Sequence, residues 1–529
     1  MLKQITKDKR AMTVCICVVF MVIIGITVVS IINSKSVVEL SEELLVINEN
    51  GVLTGIESNQ ERPYSLTVPD NVVKIASNAF EGDENLVSVK CDGALQSVGA
   101  NAFSNCVNLK KVDISNYNSL LKIGFEAFSE CISLESVNFS KCIPSFGDYV
   151  FKGCVSITEF EFFEKNFSIG MFLGCTGLEN VKFYEEQNEV PERIFEGCNS
   201  LKTVYLPDTV EIIGKSAFKN CVSLESMELP DSIRIIDRGA FEGCVSLKNM
   251  EIPESATALY EAFNGCEQLT ETENGITYVD GWAVSISAGT KNVIFREGTI
   301  GVAFGMECSQ VKTVCIPSSV KYFGDSFRES QALTNVVFED NSSLDSLYPY
   351  AFLNCTALET VDFGENSSLV DLGWMSFKGC TALKSIRIPC SIERFGNSFD
   401  ECIALERIEF DGNDCLTVIG EEALSGLSAL REFIIPDGVV IIGSNCFENC
   451  VSLEKVIIPS SVTAIGENML RGCDNLKSIE IVDPDGWSLL DGEGNKIYDI
   501  SADDLSDPED AVEWFKAYSE GEYSLKKEA

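Results

Sequence analysis

The side chains here best suited to chemistry are cysteines, and most of them fall at one spacing. A Phe-x-x-Cys pair stands at Phe103/Cys106, Phe128/Cys131, Phe151/Cys154, Phe172/Cys175, Phe195/Cys198, Phe218/Cys221, Phe241/Cys244 and Phe263/Cys266. The pairs resume at Phe352/Cys355, Phe377/Cys380, Phe399/Cys402 and Phe447/Cys450. Thiols at a regular interval could bridge, bind metal or simply pack. Zinc sites use Cys-x-x-Cys pairs, and the repeat supplies none. Neighbouring strands lie about 4.8 Å apart, which falls inside the Cα separation of a disulfide. A disulfide also needs a Cβ–S–S–Cβ torsion of about 90°, whereas side chains in a regular ladder run parallel. The expectation is a ladder of buried free thiols acting as small hydrophobes, with bridges between turns as the alternative.

Carboxylates are the other reactive group in number, with 81 Asp+Glu against 40 Lys+Arg and no histidine. Without histidine there is no Ser-His-Asp or Cys-His machinery and no imidazole metal ligand. An acidic surface repels phosphate backbones, so a nucleic-acid partner is not expected. Asp491–Asn495 begins like a calcium loop, but Lys496 stands where the loop needs glycine and Ala502 where it needs a bidentate acid. Glycoside hydrolysis needs two carboxylates across a groove, and no such pair is singled out. The chain is therefore expected to be no enzyme and to carry no cofactor or catalytic metal.

The elements that position these residues follow from the interval, which is close to 23 residues, with degenerate copies in phase at Phe80, Phe304, Phe327, Leu424 and Leu470. A period in this range marks stacked units too small to bury their own apolar faces. In Cys221–Cys244, Leu224-x-x-Met227-x-Leu229 alternates as a strand does. Pro230-Asp-Ser turns the chain, and Ile233-x-x-Ile236 gives a second extended piece. Arg238–Cys244 reads as a helical turn with Ala240, Phe241 and Cys244 inward, and Gly243 falls where positive φ would be welcome. Four intervals are two residues longer, and in each the turn proline is replaced by a longer polar stretch. The expected fold is a β-rich repeat solenoid with short helical turns.

Residues Ala11–Ile32 carry no charge and suffice for one membrane-spanning helix. Lys3, Lys7, Lys9 and Arg10 precede them, so residues 1–10 are expected in the cytoplasm and the repeats outside. The segment reads as a signal anchor over 11–32, with a cleaved signal peptide and a secreted chain as the alternative.

The pattern Leu-x-x-Ile-x-Ile-Pro-x-Ser-Val-x-x-Ile-Gly-x-x-Ala-Phe-x-x-Cys resembles the BspA-type leucine-rich repeat, best in Leu453–Cys473 and Leu201–Cys221. The resemblance runs over residues 66–482. It implies a right-handed leucine-rich-repeat solenoid on secreted or surface-attached proteins, often proposed to bind host proteins or neighbouring cells, with no family-wide catalytic residue. Between Phe263 and Phe304 the interval is 41 residues, and a hairpin insertion is read at about 270–292. Residues 33–65 read as linker and N-terminal cap. Residues 483–529 read as a C-terminal cap whose last helix has Asp507 as its cap and Pro508 at its first position.

The outward residue of each first strand is mostly polar, as at Asp113, Lys182, Glu228, Asp362, Arg387, Glu409 and Glu480. In two adjacent turns it is Ile434 and Ile457, a candidate partner site, since neighbouring exposed apolar residues can mark one. The expected function is adhesion-type contact with a protein or glycan on another cell or matrix, through an extended solenoid face. A structural spacer or envelope component without a specific ligand is the alternative, and an exported hydrolase is a third reading.

Overall fold

The computed structural model describes residues 36–527 apart from 59, 92, 94, 115–121, 140–144, 162–166, 184–186, 260, 304–307, 413–414, 519–520 and 522. The segment read as a membrane anchor, 11–32, lies outside them. Among the described residues no helix is long and apolar enough to cross a membrane. The chain forms two compact units, one of residues 1–255 with 263–269 and one of 256–262 with 270–529.

Each unit is a β-solenoid segment in which most described turns contribute one strand to a long-strand sheet and one to a short-strand sheet. In the first unit Tyr64–Val68, Leu86–Cys91, Lys111–Ile114 and Ser136–Phe139 pair in parallel. Lys74–Ile75, Ser97–Val98, Lys122–Ile123 and Ser145–Phe146 pair in a second sheet. The register keeps equivalent residues together, as Val112 opposite Val137 and Asp113 opposite Asn138. Period-two alternation puts Val112 and Ile114 fully inside while Asp113 faces out. The second unit repeats this plan, with one core running from Ile276 to Leu525. Near the start of that unit Glu271–Glu273, Ile276–Val279 and Trp282–Ile286 form an antiparallel meander, one strand more than a hairpin.

The expectation of a helical turn at the Phe-x-x-Cys segment is corrected: the described repeats contain no helix there. Instead Gly239 and Gly243 take left-handed φ of 64° and 76°. Equivalent positions do the same without glycine, as at Asn101 (φ 54°) and Asn105 (φ 62°). A helix would need a run of right-handed residues and would keep its hydrogen bonds within the turn. The left-handed residues at every fourth position break that run. Their alternation with right-handed ones aims N–H groups at the next turn: Ser216, Phe218 and Asn220 donate to the carbonyls of Arg238, Ala240 and Glu242 at 3.0, 2.7 and 2.7 Å. The N–H groups between them stay within the turn, Lys219 and Cys221 donating to the carbonyls of Ser216 and Phe218 at 3.2 and 3.0 Å. Bonds within a turn thus alternate with bonds between turns.

The phenylalanines stack through the first unit, from Phe80 to Phe263, with successive ring centroids 5.3–6.0 Å apart. The cysteines beside them are free thiols with a task beyond filling space. Cys131 Sγ donates to the Phe103 carbonyl at 3.1 Å, and Cys154 Sγ to that of Phe128 at 3.1 Å. The same bond to the turn before recurs through Cys473, which reaches Phe447 at 3.1 Å. Burial, which disfavours the thiolate, pushes the Cys266 and Cys355 thiols up to about 12. Such thiols are poor nucleophiles and poor metal ligands.

Beyond the last repeat strand, Ser524–Lys527 runs antiparallel to Ala464–Ile465 and to Trp487–Leu490. Helix Pro508–Ala517 starts as its sequence implies: Asp507 Oδ1 accepts from the N–H groups of Glu509 and Asp510 at 2.9 and 3.2 Å. It packs on strand Ser478–Ile481 and buries Ala511, Val512 and Phe515. Its apolar residues thus cover core rather than facing solvent.

Candidate binding face

Outward positions of the long strands form a ribbon of side chains on one face of each unit. A residue there has a neighbour on either side only where the parallel ladder continues. The ladder is interrupted at defined places. In the first unit it runs Glu159–Glu161, Asn180–Lys182, Thr203–Tyr205 and stops. In the second, Asn292–Ile294 begins one sheet that ends at Thr360–Asp362. Ser385–Ile388 pairs only with Arg407–Phe410, and a third sheet begins at Glu432–Ile434.

The large outward apolar residues collect at these interruptions. Tyr205 is 62% exposed, Ile294 64% and Ile434 59%, and each lies on a strand at the edge of its sheet. Ile434 and Ile457 are indeed brought together, as direct partners across the Glu432–Ile434 and Lys455–Ile458 ladder. Ile457, however, has Glu480 on its other side and is only half-buried, so the exposed apolar surface is mostly that of Ile434. Tyr205 and Ile294 were not singled out by the sequence pattern. The signal was present in the apolar residue between two inward ones (Val204-Tyr205-Leu206, Val293-Ile294-Phe295), but the sheet breaks that expose them leave no mark in the repeat.

Between Arg407–Phe410 and Glu432–Ile434 the break opens a groove of about 860 Å³ whose mouth carries Ile434. Its floor reaches Ile408 and Phe410, only partly buried, and the fully buried Phe433, whose ring lies 6.0 Å from that of Phe410. Its rim is charged and largely self-paired. Arg387 is bonded to Asp411 and Arg407 Nη1 lies 3.3 Å from Glu409 Oε1, while Arg431 and Glu432 pair with Glu454 and Lys455 of the next turn at 3.7 Å each. A smaller groove of about 240 Å³ lies beside Tyr205 and Met227. Among the described residues no group of three or more Cys, Asp or Glu side chains is placed to hold a metal ion. An apolar floor under a paired polar rim suits recognition of another chain's side chains better than bond chemistry.

The pattern of the BspA type leucine rich repeat region matches residues 59–179, 165–283, 291–406 and 396–484. The chain belongs to the BspA-type leucine-rich repeat family. Among solved structures, a leucine-rich repeat protein from Bacteroides ovatus is 23% identical, the match covering 84% of this chain and all of that one at a TM-score of 0.35. A leucine rich cell surface protein from Faecalibacterium prausnitzii is 23% identical over 85% of this chain and 96% of its own, at a TM-score of 0.28. A leucine rich repeat protein from T. pallidum is 22% identical over 44% and 90%, at 0.24. No curated protein matches. Membership in the BspA-type family accounts for the repeated Phe and Cys positions as parts of the scaffold, while the outward positions differ from turn to turn.

Proposed function

We propose that this BspA-type repeat protein works at the cell surface, holding a partner macromolecule against its long-strand face in an adhesion-type contact. The observation that carries the reading is the placement of Tyr205, Ile294 and Ile434, exposed on edge strands beside breaks in the sheet rather than scattered. Each such residue can supply the desolvated centre of a contact on its own unit, and charged residues beside it, such as Glu228 near Tyr205 and Glu409 and Arg431 near Ile434, supply a polar rim. The partner is a protein or glycan on another cell or matrix. The net charge of −41 argues against nucleic acid and against adsorption to anionic membranes. Residues 11–32 serve as the tether, or as a leader whose removal secretes the chain.

The second reading, a structural spacer without a specific ligand, draws on the acidic side chains at most outward positions, such as Asp362, Glu409 and Glu480. The two are separated by binding of residues 33–529 to matrix proteins, surface glycans and intact cells at physiological salt. Saturable binding that survives added salt and drops at least tenfold in I434D supports the adhesion reading. Binding no stronger than that of an equally acidic control leaves the spacer.

A further inference from the structure

Two cysteines stand apart from the buried ladder. Cys390 and Cys415 are the exposed cysteines among the described residues. They belong to consecutive turns of the second unit, both in the link between the long strand and the short one. The flanking strands are in register on both sides of that link, with Ile388 opposite Phe410 and Arg394 opposite Val418. The second link is two residues longer. Counting back from the short strands puts Cys415 opposite Ser391, one residue from Cys390. Facing positions of adjacent parallel strands are about 4.8 Å apart and a disulfide spans Cα separations of about 4.4–6.8 Å, so positions offset by one residue in neighbouring turns are candidates for a bridge.

Other turns show which way a side chain at the position of Cys415 points. In other turns the residue at the position of Cys415 is a serine that reaches back to the turn before. Ser232, Ser255 and Ser391 donate their hydroxyls to Val210, Ile233 and Leu369, each at 2.6 Å. A side chain at position 415 therefore leans toward the turn that carries Cys390, on the Ile392 side of Ser391. A rotation of the Cys415 side chain would bring its thiol toward Cys390. Cys390 in turn lines the same groove as Asp411, at the start of the link that holds Cys415.

We infer that Cys390 and Cys415 form a thiol pair that a small-molecule disulfide converts into a bridge between adjacent turns. One thiolate attacks the small disulfide, forming a mixed disulfide and releasing one small thiol. The second cysteine then attacks the protein sulfur of that mixed disulfide and expels the other small thiol. Two protein thiols are oxidised, one small disulfide is reduced to two thiols, and the two protons leave with them. The ladder cysteines do not compete, because they are buried.

The test treats the whole chain with oxidised glutathione, blocks residual thiols, and maps the digest by mass spectrometry without reduction. The expected product is one peptide linking Cys390 to Cys415, reverted by dithiothreitol. C390S is expected to leave glutathione on Cys415, showing that this thiol is reactive and lacks only its partner. Separate glutathione adducts on both cysteines, an intermolecular dimer through them, or two alkylated thiols in the wild-type chain would each overturn the inference.

Discussion

Cys221 Sγ donates to the Phe195 carbonyl at 3.2 Å, 26 residues earlier in the chain. The bond ties the thiol of one turn to the backbone of the turn before, beside the stacked rings of Phe195 and Phe218. A cysteine at this position is both apolar filler and donor, and the two roles predict different rankings of substitutes.

Cys221→Ser keeps a donor of similar size, whereas Cys221→Val keeps apolar volume but orphans a buried carbonyl. We expect the serine variant to lose about 1 kcal/mol or less and the valine variant about 2 kcal/mol, from the lost bond and overpacking. Ser330 stands at the cysteine position of one turn and is buried there without a hydrogen-bond partner for its hydroxyl, which shows that serine fits the space; the urea test decides whether it also replaces the donor. Urea midpoints of the two variants check this. A valine variant more stable than the serine one would reduce the cysteine to filler.

Phe218 lies between rings at 5.5 and 5.3 Å and is fully buried. Phe218→Ala is expected to cost about 3–5 kcal/mol. Phe218→Leu is expected to cost about 1–1.5 kcal/mol, because leucine is close to volume-conserving and Leu424 fills the same site, fully buried, in another turn. Because a repeat array unfolds as coupled neighbours, the alanine variant should also show an earlier separate transition by circular dichroism. A single unshifted transition would refute the picture of stacked rings as the joint between turns.

Gly243 (φ 76°) and Gly174 (φ 73°) occupy the same place in their turns but have different surroundings. A Cβ on Gly243 would sit 2.4 Å from Asn220 Oδ1, while one on Gly174 would meet nothing closer than 3.9 Å. Both alanine variants carry left-handed strain of about 1–2 kcal/mol, and Gly243→Ala should lose more than Gly174→Ala by the cost of displacing Asn220. Equal midpoints for the two in thermal unfolding would show that the amide moves freely.

How much of this was legible follows from what the repeat must keep constant. The strands, the inward Leu and Ile positions, the Phe and Cys positions and the cap at Asp507 were readable, because each obeys a local rule that every copy restates. The left-handed pairs around Phe were misread as a helical turn. Ala240, Phe241 and Cys244 have helical spacing, and only the recurrence of Gly or Asn two residues on either side of Phe betrays the alternative. The candidate face was half-legible. Ile434 and Ile457 stood out as neighbours, but their exposure depends on whether the next strand pairs. Arg407–Phe410 and Glu432–Ile434 belong to different sheets, and pairing between turns is a property that no single turn encodes.

The buried thiols also set a pH dependence. Cys266 and Cys355 are held up to about 12, against an ordinary value of 9.0, because burial disfavours the thiolate. Above about pH 9 the unfolded chain releases these protons while the folded chain keeps them, so the unfolded state binds fewer. Stability then falls as pH rises, by about 1.4 kcal/mol per pH unit for each such thiol. The loss starts near the unfolded value and continues toward the folded one, and below about pH 8 these thiols contribute no slope. Urea midpoints should therefore be level between pH 7 and 8 and drop between 9 and 10.5. Cys355→Ser removes one titrating group and should make that drop shallower by the share of one thiol. A wild-type midpoint unchanged up to pH 10.5 would mean that the ladder thiols ionise in place, and that the turns open far enough to hydrate them.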